Sequence, residues 1–161
     1  MSDKVFQTVR TSSGRRVEGT AMKLGLKAAR LLTGSTYAIL GWDALRTPGG
    51  RTEMAAPTLD ALRRIVPLPE DELVVRSNAA VQTIGGVMLA AGILPRLSAV
   101  MLAASLVPTT AAGHDFWSIE DPAARKLQRV QFHKNVAMLG GLLFAAFEPR
   151  PDSPRRRADS G

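Results

Sequence analysis

The chain contains no cysteine. Disulfides, thiolate metal sites, haem attachment through cysteine and a dithiol redox centre are therefore excluded, and the protein cannot run thiol–disulfide exchange by itself. Histidine is scarce: His114 and His133 are the only two. That is too few for a metal site built from several imidazoles, so no metal is expected. Aromatic residues make up 5% of the 161 residues. The excess of 21 Lys and Arg over 14 Asp and Glu is not interleaved with the aromatic side chains on which a nucleic-acid module stacks bases, so no nucleic acid is expected as a partner. No phosphate loop, dinucleotide fingerprint or haem-spaced histidine pair occurs, so no cofactor motif is evident.

Long segments also lack charge. Leu31 to Trp42, Ala79 to Leu94, Leu97 to Ala112 and Val136 to Phe147 contain no Asp, Glu, Lys, Arg or His. A bilayer-spanning helix needs about 20 mostly apolar residues. Two of these runs approach that length alone, and the other two reach it with flanking polar residues. Gly, Ala, Ser and Thr recur inside the runs, which leave almost nothing for a water-facing side. Small residues at helix contacts are the habit of membrane bundles. A soluble bundle of fully buried helices is the competing reading.

Residues 1–21 read as a flexible basic lead, with no apolar core or small-residue cleavage site of a signal peptide. The first span is expected from about Met22 to Leu45, ended by Pro48-Gly49-Gly50. A short surface helix is expected within 57–66, with Leu59, Leu62 and Ile65 on one face, before Pro67 and Pro69. The second span runs from Glu70-Asp71-Glu72, acids suited to a helix N-terminus, to about Leu94. Pro95-Arg96 makes a tight connection to the third, which ends at Gly113. Pro108 within it predicts a kink whose freed carbonyl Thr109 and Thr110 satisfy. Glu120-Asp121-Pro122 starts the last helix, and Glu148-Pro149 stops it before a basic tail, 149–161, expected to be disordered. The domain proper is 22–148. The expected fold is an all-α membrane protein, a four-transmembrane-helix bundle.

Of the 21 cations, twelve lie in the two termini and at Arg96: Lys4, Arg10, Arg15, Arg16, Lys23, Lys27, Arg30, Arg150, Arg155, Arg156 and Arg157 complete that set. Nine lie in the opposite loops, most of them offset by acids. The positive-inside rule then places both termini in the cytoplasm of a multi-pass protein in the inner (plasma) membrane. The 46–76 loop and the 113–134 elbow face outward.

This topology gathers polar residues at the outer side. Asp43 and Arg46 leave the first helix there, and Arg76, Asn78 and Gln82 enter the second. His114 and Trp117 end the third, while Arg125, Arg129 and His133 share one face of the fourth at four-residue spacing. Ionisable groups at membrane depth are functional candidates, so these ten residues form the candidate ligand cluster; no residue is assigned as catalytic. The bland alternatives are interfacial anchoring by Phe116 and Trp117, a wet helix face for the cations, and local hydrogen bonding for His114. Asp43 is expected to bond Arg46 or Arg76, or to reach the Arg125/Arg129 face.

The stretches Gly41-Trp42-Asp43-Ala44-Leu45-Arg46-Thr47-Pro48, Arg76-x-Asn78 with Val81-Gln82, Leu94-Pro95-Arg96-Leu97, AASLVPTTAAGHDFW, DPAARKLQRVQFHKN and LGGLL together resemble the DoxX family of small four-helix bacterial membrane proteins, over roughly residues 24–147. The resemblance implies an integral membrane subunit associated with a redox system, either quinone-linked or concerned with oxidative stress. It implies membrane lipid and other subunits of a membrane redox complex as partners, with a quinone as the candidate small molecule. A quinone pocket would be lined by Asp43, Gln82, His114 and Arg129. The alternatives are a non-catalytic anchor that recruits another enzyme, and a protein that binds lipid or another lipophilic small molecule. Whether the protein is itself an enzyme is left open by the absence of any autonomous catalytic motif.

Overall fold

The computed structural model describes residues 2–147, with side chains from Val17 onward. The described residues form five α-helices and no strand: α1 Ser2–Arg46, α2 Gly49–Arg63, α3 Asp71–Ala91, α4 Pro95–Gly113 and α5 Pro122–Phe147. The tail expected to be disordered lies outside the described residues.

Local sequence explains the boundaries. Pro48 separates α1 from α2 and stands at the N-cap of α2. Asp71 and Glu72 occupy the first turn of α3, where carboxylates favour the dipole. At its other end Gly92 turns left-handed, with φ 71°. Its N–H donates to the Leu89 carbonyl, and that of Ile93 to the Met88 carbonyl, which is the Schellman arrangement. Leu94 is also left-handed, at φ 43°, a conformation that costs a branched residue about 1–2 kcal/mol. Two left-handed residues followed by Pro95 reverse the chain within four positions. At α5, Asp121 Oδ2 accepts the Ala124 N–H at 2.7 Å, the expected N-terminal cap.

The helices pack in chain order: α1 along α3, α3 along α4, and α4 along α5, with α2 across α3 and α4. The core draws on all four long helices through Tyr37, Leu89, Ala99, Leu102, Ala103, Leu106, Leu142 and Ala146. Small residues set the α1–α3 spacing. A Cβ built on Gly86 would lie 2.5 Å from Ala38 N, and one on Gly41 would lie 2.7 Å from Thr83 N.

The N-terminal segment is helical from Ser2 and continuous with the rest of α1; no proline interrupts it before Pro48. Several expectations are corrected. The surface helix starts earlier, at Gly49, and ends at Arg63. Leu59 is buried, but Ile65 falls in the turn after the helix and is exposed. α3 stops at Ala91 rather than Leu94. Pro108 lies inside α4, and the carbonyl it frees is that of Ala104. The threonines serve the next two instead: Thr109 Oγ1 donates to the Ser105 carbonyl and Thr110 Oγ1 to that of Leu106.

Among the described residues α3 is the one helix long and apolar enough to cross a membrane by length and composition. α1 carries Lys23, Lys27 and Arg30 and is diluted by Gly, Ser and Thr. α4 opens on Pro95-Arg96, and the first half of α5 is charged.

Candidate functional site

Asn78 and Gln82 sit one turn apart on α3. Ser105 and Thr109 sit one turn apart on α4 and face them. Asn78 Nδ2 donates to Thr109 Oγ1 at 2.9 Å, and Ser105 Oγ donates to Asn78 Oδ1 at 2.7 Å. Gln82 Nε2 also donates to Thr109 Oγ1, at 3.3 Å. Thr109 is thus the hub: its oxygen accepts two amides while its proton goes to the Ser105 carbonyl. On the other side of α4, Asn135 of α5 donates to Thr110 Oγ1 at 3.1 Å. Gln82, Ser105 and Thr110 are buried. This polar seam crosses three helices and contains only amides and hydroxyls. Gln82 and Asn135 are its least committed members, for each donates one bond and its carbonyl oxygen takes none from a described residue, while an amide offers two donors and an acceptor.

A second group joins α4 to α5. His114 Nδ1 donates to Gln128 Oε1 at 2.7 Å. Phe116, Trp117 and Phe132 pack edge to face, with centroids 5.2–6.0 Å apart. The His133 ring lies 5.8 Å from that of Phe132, and its Nδ1 donates to the Arg129 carbonyl. Phe116 and Trp117 therefore pack on the last helix, although Trp117 keeps over half its surface exposed.

The third group lies where α1, α2 and α3 meet. Asp43 pairs with Arg51 at 2.8 Å, not with any of the four arginines expected for it. α2 begins three residues after α1 ends, and that brings Arg51 back over the last turn of α1. Arg46 instead stacks over Trp42, 5.5 Å from the ring centre. Arg76 bonds Glu72 one turn earlier and donates to the Leu45 carbonyl at the end of α1. Nearby, Arg63 bridges Asp60 and Asp71, and its hydrogen bond to Asp71 holds the guanidinium above its ordinary pKa.

The ten candidates are thus spread over separate neighbourhoods. Asp43, Arg46 and Arg76 end α1 and begin α3; Asn78 and Gln82 form the seam; His114, Trp117 and His133 belong to the elbow. Arg125 donates to the Ile119 carbonyl. Arg129 and His133 edge a shallow open groove with Val130, Lys134 and Ala137, all on α5. Among the described residues no hydrogen bond or ion pair joins any two of Asp43, Gln82, His114 and Arg129. Sequence reasoning passed over Ser105, Gln128 and Arg51, and read Thr109 only as a helix repair. The available signal was two polar pairs at four-residue spacing in consecutive apolar helices.

A family model described as DoxX matches residues 25–115. The chain belongs to the DoxX family. The match begins within α1 and closes at the elbow, so it takes in the whole seam between α3 and α4, while α5 lies beyond it. Membership makes this a membrane protein of the DoxX type. No curated protein and no solved structure matches the chain.

Proposed function

We propose that this DoxX-type protein is a four-span subunit of the inner membrane, with both termini cytoplasmic, serving a quinone-linked or oxidative-stress redox system by holding a lipophilic partner rather than by catalysing a reaction alone. One observation carries the reading: the bundle leaves large apolar side chains on its outside while a polar seam lies within its apolar core. Leu32, Ile39, Ile84, Val107, Phe144 and Phe147 are exposed, each by more than half, on the helices whose interior holds Gln82, Ser105 and Thr110. Exposed apolar surface of this kind marks a membrane or partner-binding surface. In lipid it is the expected one, and the interior amides and hydroxyls bond between helices.

The chemistry of the seam favours binding. It has no carboxylate, imidazole or amine at its centre, so its amides and hydroxyls can orient a neutral head group but include no group that ionises near neutral pH. A quinone carries two carbonyl acceptors, which amide N–H and hydroxyl groups can meet, and apolar side chains suit its tail. Electron transfer would then belong to another subunit. The exposed Trp117, packed on Phe132 of α5, gives the anchor reading its own support, as a surface on which a soluble enzyme could dock.

Because the chain lacks cysteine, topology is directly testable. Cysteines replacing Ser12 or Ser153 should be shielded from an impermeant thiol reagent in intact cells, and those replacing Glu53 or Ser118 should be labelled. The reverse pattern removes the orientation. For function, gently solubilised protein should retain a quinone that Gln82→Leu or Thr109→Val releases. Retention of a soluble enzyme with no lipophilic molecule would favour the anchor.

A further inference from the structure

The face of α1 that packs on α3 does not end where α3 ends. Among the described side chains of α1, Gly34, Tyr37, Gly41 and Ala44 are the buried ones, and they recur at the spacing of one helix face. Continued toward the N-terminus at the same spacing, that face passes through Arg30, Lys27 and Lys23. Ala90, one residue before the end of α3, lies against Gly34. Arg30 therefore stands beside the last turn of α3. Lys27 and Lys23 follow about 5 and 10 Å further on, beyond the α3–α4 connection, at about 1.5 Å per residue. Arg96 opens α4 at this same end.

The notch between the projecting part of α1 and the end of the bundle has two kinds of wall. Lys23 and Lys27 are exposed, and neither forms an ion pair with a described acid, whereas Arg30 and Arg96 are half-buried and already engaged. Glu18, the only acid between 17 and 42, falls on the opposite side of the helix, five residues before Lys23. At this end of the bundle the connection exposes Ile93 and Leu94, and the first turn of α4 exposes Leu97, each by half or more. Cations below and uncovered apolar side chains above match an amphiphile with an anionic head. A soluble acidic partner would leave the apolar wall bare.

We propose that Lys23 and Lys27 bind the phosphate of an anionic phospholipid whose acyl chains run along Ile93 and Leu97. This rests on the four-span reading, which puts the notch at the inner membrane face. A cation near an anionic membrane surface strengthens attachment by a factor on the order of five, so two lysines together correspond to roughly thirtyfold.

The test uses the full chain, delipidated in detergent and titrated with phosphatidylglycerol or phosphatidylcholine, followed by native mass spectrometry and thermal unfolding. One phosphatidylglycerol per chain should be retained in preference to phosphatidylcholine, with a rise in Tm. Lys23→Gln with Lys27→Gln should weaken that retention by roughly thirtyfold while leaving the lipid-free Tm unchanged, since both side chains are exposed. Equal retention of the two lipids, or an unaffected double variant, overturns the site. So does an equal Tm rise with inorganic phosphate, which would mark an adventitious ion only, or equal protection by an acidic peptide without lipid. Alkaline carbonate washing of membranes separates the two levels. Extraction of the protein defeats the four-span reading, whereas resistance without a phosphatidylglycerol preference defeats the lipid site alone.

Discussion

Gly86 of α3 stands backbone to backbone with Gly34 of α1: a Cβ on Gly86 would lie 2.6 Å from the Gly34 carbonyl oxygen and 2.5 Å from Ala38 N. Lipid gives helices no hydrophobic reason to associate, so such close approach supplies the dispersion contact that holds α1 in place. Gly86→Ala should force the two backbones apart and lower stability in detergent by about 1–3 kcal/mol, the usual scale of overpacking. Gly140→Ala is the control. Nothing lies within 4 Å of its new Cβ, and the change should be neutral or stabilising by up to about 1 kcal/mol through reduced backbone entropy. Equal effects of the two substitutions would refute the contact.

The seam makes the next prediction. Thr109→Val removes the hub and strands the Asn78 and Gln82 amides together, whereas Ser105→Ala removes only the donor to Asn78 Oδ1. The threonine change should be the costlier, by about 1–2 kcal/mol against roughly 0.6 kcal/mol for the serine. A double-mutant cycle on Asn78 and Ser105 should return a coupling near 0.6 kcal/mol, the typical interhelical value in membrane proteins. Additive unfolding free energies would mean that the bond contributes nothing.

The helices themselves were readable because their punctuation is written in proline, glycine and acids. Pro48, Pro95 and Asp121 each end or begin the element expected of them, while Gly92 ends α3 at Ala91, three residues before the expected Leu94. Asn78 and Gln82 also stood out, since an amide inside an apolar run needs a partner. Their partners were harder to see. Ser105 and Thr109 look like ordinary small residues of a membrane helix until α4 is laid against α3. The partner of Asp43 is hidden for a related reason. Its own helix and the helices across the bundle all offer arginines, while the true partner, Arg51, comes from the first turn of α2, which no periodicity in the sequence places over the end of α1.

That pairing is a surface one. The Asp43 and Arg51 side chains are 61% and 40% exposed, and exposed ion pairs contribute about 0–1 kcal/mol. Asp43→Asn should therefore cost less than about 1 kcal/mol, and a double-mutant cycle should find coupling to Arg51 but none to Arg46, Arg76, Arg125 or Arg129. The coupling should shrink in high salt. A loss of several kcal/mol on Asp43→Asn, measured by denaturant unfolding, would place the carboxylate in a buried network instead.

Tyr37 makes the sharpest contrast with the seam. Its side chain belongs to the central core and is 2% exposed, yet its hydroxyl meets no partner among the described residues. The ring and the hydroxyl should then pull in opposite directions. Tyr37→Ala removes the ring and should cost about 3–5 kcal/mol, as for other large aromatic truncations in a core. Tyr37→Phe keeps the ring and removes a polar group that folding strips of its hydrogen bonds, so it should be neutral or stabilising by up to about 1 kcal/mol. Thermal and denaturant unfolding of the two variants in one detergent decides the matter. If Tyr37→Phe destabilises by more than about 1 kcal/mol, the hydroxyl is bonded in the protein as purified, to an ordered water or a bound molecule. Repeating the measurement after exhaustive delipidation then distinguishes these, because a bound lipophile would be lost and the difference between Tyr and Phe would vanish with it.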